Sequence, residues 1–415
     1  MNRIILHCDM NNFYASVECM LNPSLKGHPV AVCGAIEERH GIVLAKNYEA
    51  KKFNVSTGDT IWQAKNKCPS LIIVSPPNFS EYEKYSHLAR NIYRRITDYV
   101  EGYGLDECWL DISNVVKTYD EAEKLADDIR ETVTFELGLT ISVGVSFNKI
   151  FAKLGSDLKK PNATIVITEE NFKNKVWPLP VEDLLGVGRA TKKIMDRYFI
   201  KTIGDLANQK EDRMKYLLGK NGVQLLNFAR GIDYSPVARF DEGQDIKSVG
   251  HGTTTVKDLT NNDEVWVLML SLTEEISFKL RQNKKRAKGI SIQIRDDQLF
   301  VKQWQKSFEM SEQSYLRLAE AAFDLFKEVY DWNRPIRSIT VQAIKLIDDD
   351  TMEQKLLLSD VDKMEKIEKI EKCIENINSR FGDGSIKNAT LLSDKNSPKN
   401  KYKSHLPTGI PKQRS

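Results

Sequence analysis

The spacing of apolar residues changes several times along this chain, and a chain that changes its periodicity in this way cannot fold as one repetitive unit. Residues 4–8 are a short apolar run that stops at Asp9. Residues 29–34 and 41–45 are similar runs, rich in β-branched side chains and separated by a charged turn at 37–40. Such runs suit buried strands. Within 82–100, Tyr85, Leu88, Ala89, Ile92, Tyr93 and Ile96 recur at helical spacing, as do Ala122, Leu125, Ala126, Ile129 and Val133 within 119–137. With strand-like segments at 107–112 and 140–145 around the second helix, the amino-terminal part reads as a sheet with helices packed on one face. From about Asn171 short helices are joined by glycine turns at 184–188 and 218–222, an all-helical texture. Residues 234–247 lack periodicity and read as a linker. Beyond them a strand from Ser248, a helix over 262–282, a strand at 289–295, a helix over 314–330 and a strand at 336–347 make an α+β module. Val361, Met364, Ile367, Ile370, Ile374 and Ile377 then fall on one helical stripe, and the basic, proline-containing stretch 395–415 predicts disorder.

At 415 residues the chain has room for two to four such units. Its 41% hydrophobic and 29% charged residues exclude a wholly disordered, collagen-like or membrane-embedded protein. Sixty-one basic against 58 acidic residues leave a net charge of +3, so any basic surface must be local. Cys8, Cys19, Cys33, Cys68, Cys108 and Cys373 form no CxxC pair and no zinc spacing, which suggests buried free thiols in a reducing cytoplasm. No secretion signal or apolar run long enough to span a membrane is evident, so the expected setting is cytoplasmic.

Asp9 at a strand end, and the pair Asp106-Glu107 opening another apolar run, are carboxylates in segments that would bury them. A buried unpaired charge is costly, so such groups usually meet a cation or take up a proton. Three carboxylates from two neighbouring strands can hold two Mg²⁺ ions about 3.5–4 Å apart, one activating an attacking oxygen and the other stabilising a leaving one. Solvated acids at strand ends would show the same spacing.

The segment from Leu6 through Asp9, Met10, Asn11 and Tyr14 to Glu18, together with Leu105 to Ile112, resembles the Y-family translesion DNA polymerases of the bacterial DNA polymerase IV type. So do Ala45 to Phe53 and the stretch from Val145 through Lys153 to Pro161. The order and intervals match, and the similarity runs over roughly residues 1 to 350. The resemblance implies that Asp9, Asp106 and Glu107 are catalytic and bind two Mg²⁺ per active site, with the Met10 carbonyl completing one site. It implies that Tyr14 is a steric gate against a ribose 2′-hydroxyl, and that Tyr48, Lys51 and Lys160 contact the triphosphate of a dNTP. The sequence departs from the family pattern at Lys51, commonly Arg, where a point charge replaces a bidentate fork. It departs also at Asn11, often Asp, which is left out of the ligand set.

Gly186 and Gly188 resemble the turn of a helix-hairpin-helix, which brings backbone N–H groups to a DNA phosphate. The run 279–288, which holds six basic residues including Lys284, Lys285 and Arg286, and the strand start at Ser248 match the family's DNA-contacting little finger. Gln354, Leu357 and Leu358 resemble a sliding-clamp-binding peptide, although Lys355 and Leu358 stand where Leu and Phe are common. The implied architecture is α+β, a right-hand polymerase. It has a ferredoxin-like palm (1–10 and 78–166), small fingers (11–77), a helical helix-hairpin-helix thumb (167–233), a linker (234–247) and an α+β little finger (248–348). Residues 349–415 supply the clamp peptide, a helix and the basic tail. The expected partners are primer-template DNA, dNTPs and a sliding clamp, with the protein itself monomeric and no membrane involved. Two other readings remain: a catalytically silent DNA- and clamp-binding accessory, and a nucleotidyl cyclase that acts without template.

Overall fold

The computed structural model describes residues 3–34, 41–242, 246–351, 358–382 and 384–393. Residues 3–34 and 42–242 gather into one compact unit and 246–393 into another. In chain order the first unit contains β1 (Ile5–Met10), α1 (Phe13–Leu21), β2 (Val30–Cys33), β3 (Val43–Lys46), α2 (Tyr48–Lys51), α3 (Ile61–Lys67) and β4 (Ile72–Val74). It continues with α4 (Phe79–Arg94), β5 (Val100–Tyr103), β6 (Glu107–Asp111), α5 (Tyr119–Leu137), β7 (Ile141–Ser146), α6 (Lys149–Leu158) and β8 (Thr164–Ile167). It ends with α7 (Phe172–Val176), α8 (Arg189–Arg197), α9 (Ile203–Ala207) and α10 (Glu211–Ala229), the last kinked at Gly219.

The central sheet runs β5-β6-β1-β7-β8, with β1 antiparallel to both its neighbours. Alternation along a strand sends successive side chains to opposite faces. Ile4, Leu6, Cys8 and Met10 therefore join Tyr82, Ala89, Ile92, Ala126 and Ile129 from α4 and α5 in one core, whereas Ile5 packs with Trp109 and Ala152 of α6 on the other face. The expectation of helices on one face thus needs correcting: α4 and α5 cover one side and α6 the other. α6 approaches β7 so closely because residue 144 is glycine; a Cβ there would stand 1.9 Å from the Ala152 carbonyl oxygen and 2.6 Å from the Ser156 nitrogen. The far side of α6 gives Ile150, Phe151 and Leu154 to the core of α7–α10, with Val176, Met195, Leu206 and Leu226. Local signals set the ends of these helices. Thr118 and Glu121 form a capping box at α5, Gly138 closes it in the left-handed conformation, and the Asn148 side chain accepts the Phe151 N–H at α6.

The second, smaller sheet of this unit runs β3-β2-β4. Residues 234–242 form neither helix nor strand yet lie against the same unit: Val237 is buried, the Arg3 guanidinium donates to the Asp233 and Ser235 carbonyls, and Arg94 sits over the Phe240 ring.

The second unit contains β9 (Ser248–Leu259), α11 (Asn262–Gln282), β10 (Lys285–Asp296), β11 (Val301–Glu312), α12 (Tyr315–Val329), β12 (Ile336–Asp348) and α13 (Leu358–Phe381). Its sheet runs β11-β10-β12-β9, and Leu268, Leu272 and Ile276 of α11 with Leu318 and Phe326 of α12 cover Ile290, Ile292, Ile339 and Val341. The sequence reading has no counterpart for β11, because its alternation carries mostly exposed polar residues. α13 is fastened by carboxylates: Glu371 and Glu375 pair with Arg281, Glu368 pairs with Arg286, and buried Glu371 also accepts the Ser314 hydroxyl at 2.7 Å. All six thiols are free, as expected, but Cys373 is exposed and Cys19 half-buried. Among the described residues no helix is long and apolar enough to cross a membrane. The expected tail at 395–415 lies outside the described residues.

Candidate active site

Register brings the acids together. Asp9 at the end of β1 stands directly opposite Glu107 at the start of β6, and the Met10 N–H donates to the Asp106 carbonyl at 3.0 Å. Residues opposite each other in an antiparallel pair share a face, so Asp9 and Glu107 lie on the α6 side of the sheet. α6 and the turn after it supply the cations. Lys160 Nζ is 2.8 Å from Asp9 Oδ2 and 2.9 Å from Asp157 Oδ1, and Lys153 forms an ion pair with Glu107 Oε2.

The three carboxyls differ in acidity. Burial pushes Asp9 up to about 7, with Lys160 opposing, and burial plus the Glu107 charge pushes Asp106 up to about 6. Burial acts the same way on Glu107, but contacts with His7 and the Lys153 ammonium outweigh it and hold that carboxyl at about 2. The charge on Asp9 and Asp106 is therefore undercompensated by the protein alone.

Among the described residues no three acidic, histidine or cysteine side chains already enclose one point as a metal cage. Lysines occupy the carboxylates instead. The donor chemistry nevertheless fits a divalent cation, because hard carboxylate oxygens, those of Asp9 and Asp106 raised in pKa by desolvation and by the Glu107 charge, gain most from a cation of higher charge.

The remaining expected contacts fall around this cluster. Tyr14, in the first turn of α1, stacks on Tyr82 at 4.4 Å and meets Phe79 edge-on; burial and the Asp106 charge push its hydroxyl up to about 12. Tyr82 is fixed in turn by donating to Glu18 at 2.6 Å. Tyr48 opens α2, and burial raises its pKa, with Lys160 and Asp9 close enough to act on it. Lys51 Nζ lies 5.9 Å from the Tyr48 ring centre. Asn11, excluded from the ligand set, is a brace: its Nδ2 donates to Ser142 Oγ at 3.0 Å and its Oδ1 accepts the Asn162 N–H at 2.9 Å, which anchors the turn carrying Lys160.

A profile of the impB/mucB/samB family matches residues 8–157, and that of the family's C-terminal domain matches residues 246–357. A protein of Acetivibrio thermocellus named DNA polymerase IV is 47% identical over 395 residues, covering 95% of this chain and 99% of that one. DNA polymerase IV 1 of Bacillus subtilis is 35% identical, covering 96% and 95%. A solved Y-family DNA polymerase chimera superposes with a TM-score of 0.74 at 26% identity, covering 83% of this chain and 99% of its own. The chain belongs to the Y-family of DNA polymerases. Within that family it is of the bacterial DNA polymerase IV type.

The positions expected to contact DNA in a Y-family polymerase have diverse surroundings. Gly186 takes φ +95°, a backbone that side chains resist, and Gly188 is the N-cap of α8 with open space where a Cβ would be. Ser248 is exposed at the start of β9. The run 279–288 is not a simple solvated stripe. Lys285 pairs with Asp348 at 2.8 Å, Arg286 pairs with Glu368 at 2.7 Å and Asp349 at 3.3 Å, and the Lys284 carbonyl accepts the Asp349 N–H. Gln354 and Leu357 lie outside the described residues, and Leu358 is described only as the first residue of α13. Sequence reasoning assigned no role to His7, Lys153, Ser156 and Asp157, although all four lie within the matched segments. Only cross-strand register and the close α6 packing reveal their place beside Glu107 and Lys160.

Proposed function

We propose that this polymerase extends a primer 3′ end with dNTPs at Asp9, Asp106 and Glu107, using two Mg²⁺ ions, on a DNA template that includes damaged positions. DNA-directed DNA polymerase activity of the translesion type comes with its family. The observation that carries the residue assignment is the direct cross-strand opposition of Asp9 and Glu107, next to Asp106, with Lys160 paired to Asp9 and Tyr48 near both.

When bound, the divalent cations would lower the pKa of the primer hydroxyl and hold the triphosphate oxygens. Asp9, Asp106 and Glu107 are the oxygen donors that would retain them, with the Met10 carbonyl beside them. Lys160 now pairs with Asp9 and Asp157; released from Asp9, its ammonium would face the phosphates that gain charge as the primer oxygen attacks the α-phosphorus and pyrophosphate leaves. The Tyr48 hydroxyl and the Lys51 ammonium add a neutral donor and a second positive charge. Tyr14, held flat against Tyr82, presents a ring that leaves a deoxyribose room and a ribose none.

Gly186, Gly188, Ser248 and Lys284 are proposed contacts to the DNA backbone, and Lys285 and Arg286 reach it by exchanging their carboxylate partners for phosphate. Gln354, Leu357 and Leu358 are the proposed clamp contacts. Single-nucleotide primer extension with Mg²⁺ tests the catalytic assignment. Asp106→Ala is expected to lose at least about 10²–10³-fold in rate with DNA affinity nearly unchanged, and a normal rate would remove the assignment. A catalytically silent accessory is not favoured, and turnover that persists without DNA would instead point to a cyclase.

A further inference from the structure

His7 is a fully buried polar side chain for which the polymerase reaction, as just derived, has no use. It sits two residues before Asp9 on the same face of β1, opposite Trp109 of β6, with its ring 5.1 Å from the indole. Nδ1 is 2.8 Å from Ser156 Oγ of α6. Nε2 is 3.3 Å from Glu107 Oε2, close but off the line of a full hydrogen bond, so it has no aligned partner among the described residues.

The hydroxyl of Ser156 has one proton and two possible acceptors, His7 Nδ1 and the Lys153 carbonyl, which is 2.7 Å away. Given to the carbonyl, that proton forces Nδ1 to donate and leaves a bare Nε2 lone pair against a carboxylate. Given to Nδ1, it places the ring proton on Nε2, pointing at Glu107. Of the two neutral tautomers, only the second is attractive at both ring nitrogens. The Lys153 ammonium falls on the same Oε2, so the ammonium and the Nε2 edge of the imidazole meet at one carboxylate oxygen. Both depend on α6, one directly and one through Ser156.

We propose that His7 is a positioning residue: in the tautomer set by Ser156, its Nε2–H holds the Glu107 carboxylate in the orientation needed for nucleotidyl transfer. The proposal rests on the reading of Glu107 as a catalytic carboxylate. Partners of this kind, one step removed from the reacting groups, change activity by about 10–100-fold when removed.

Two substitutions separate positioning from filling space. His7→Gln keeps an N–H donor at the reach of Nε2, whereas His7→Asn keeps only the reach of Nδ1 toward Ser156. His7→Asn is expected to lower kcat by about 10–100-fold with the dNTP KM within about twofold, and His7→Gln to recover most of that loss. Nitrogen-15 NMR of histidine-labelled protein, followed without turnover, should show the Nε2–H tautomer for His7 and its loss in Ser156→Ala. Wild-type kcat in His7→Asn, equal damage in Asn and Gln, or an Nδ1–H tautomer in the wild type would overturn the proposal. Glu107→Gln is run in parallel: full activity there removes the Glu107 reading itself, whereas an inactive Glu107→Gln beside a normal His7→Asn removes only the role of His7.

Discussion

Asp9, Asp106 and Glu107 lie within a few residues' reach of one another yet respond to pH in opposite senses. Burial raises Asp9 to about 7 and Asp106 to about 6, so each favours the folded state fully below its unfolded pKa and loses that contribution as pH rises through the folded value. Glu107, held at about 2, contributes above its unfolded pKa and loses the contribution only as pH falls through that low value. Denaturant titrations in EDTA at about pH 5 and about pH 7.5 should therefore show the protein less stable at the higher pH by about 2–4 kcal/mol, and Asp9→Asn should flatten much of that slope. An unchanged slope in the variant would contradict the buried state of Asp9. Tyr14 makes its prediction through shape. Replacing it with Ala removes the ring that Tyr82 supports, and discrimination between a dNTP and its ribonucleotide should fall by about 10- to 200-fold, read as the ratio of kcat/KM values. Unaltered sugar selectivity would place the gate elsewhere.

α6 carries more of the site than any other helix, since Lys153, Ser156 and Asp157 lie on it and Lys160 follows its end. Its closeness to the sheet depends on the missing Cβ of Gly144. Gly144→Ala is expected to cost about 1–3 kcal/mol or more by overpacking, and to lower kcat beyond what the lost stability explains, because it shifts Lys153 and Ser156 together. Equilibrium unfolding and extension kinetics on the same samples check this. The same helix shows what the sequence made legible and what it hid. α5 was readable to the residue, because its solvent-facing polar side leaves an apolar stripe of Ala122, Ala126, Ile129 and Val133. α6 is buried nearly all round, giving Ala152 to the sheet and Ile150, Phe151 and Leu154 to α7–α10, and nothing in its spacing discloses that double contact, so the sequence points to helices on one face of the sheet only. β11 is hidden for the opposite reason, being exposed along most of its length. Among the site residues, the acids stood out because charge in an apolar run is anomalous. His7 did not, since a single histidine in a strand gains meaning only once register sets it beside Glu107 and packing sets it beside Ser156.

Over the whole molecule, each unit has a core of its own. Ile4, Leu6, Tyr82 and Ile129 belong to one, and Leu268, Ile292, Phe326 and Ile339 to another, closed at one side by the glutamates of α13 on Arg281 and Arg286. Chains with separate cores need not unfold in one step. Calorimetry should resolve two transitions. A dNTP supplied with Mg²⁺ at about a hundred times its Kd should stabilise the unit that holds Asp9 by about 2.7 kcal/mol and leave the other where it was. One merged transition that moves as a whole would show the units to be coupled. Separate cores also bear on any search for inhibitors by thermal shift. A dye that follows exposed apolar surface reports the earlier melt, whichever unit that is. If the unit of α11 and α12 melts first, a compound seated on Asp9 leaves the observed curve unmoved however tightly it binds. The order of melting therefore decides whether such a screen can see the polymerase site at all.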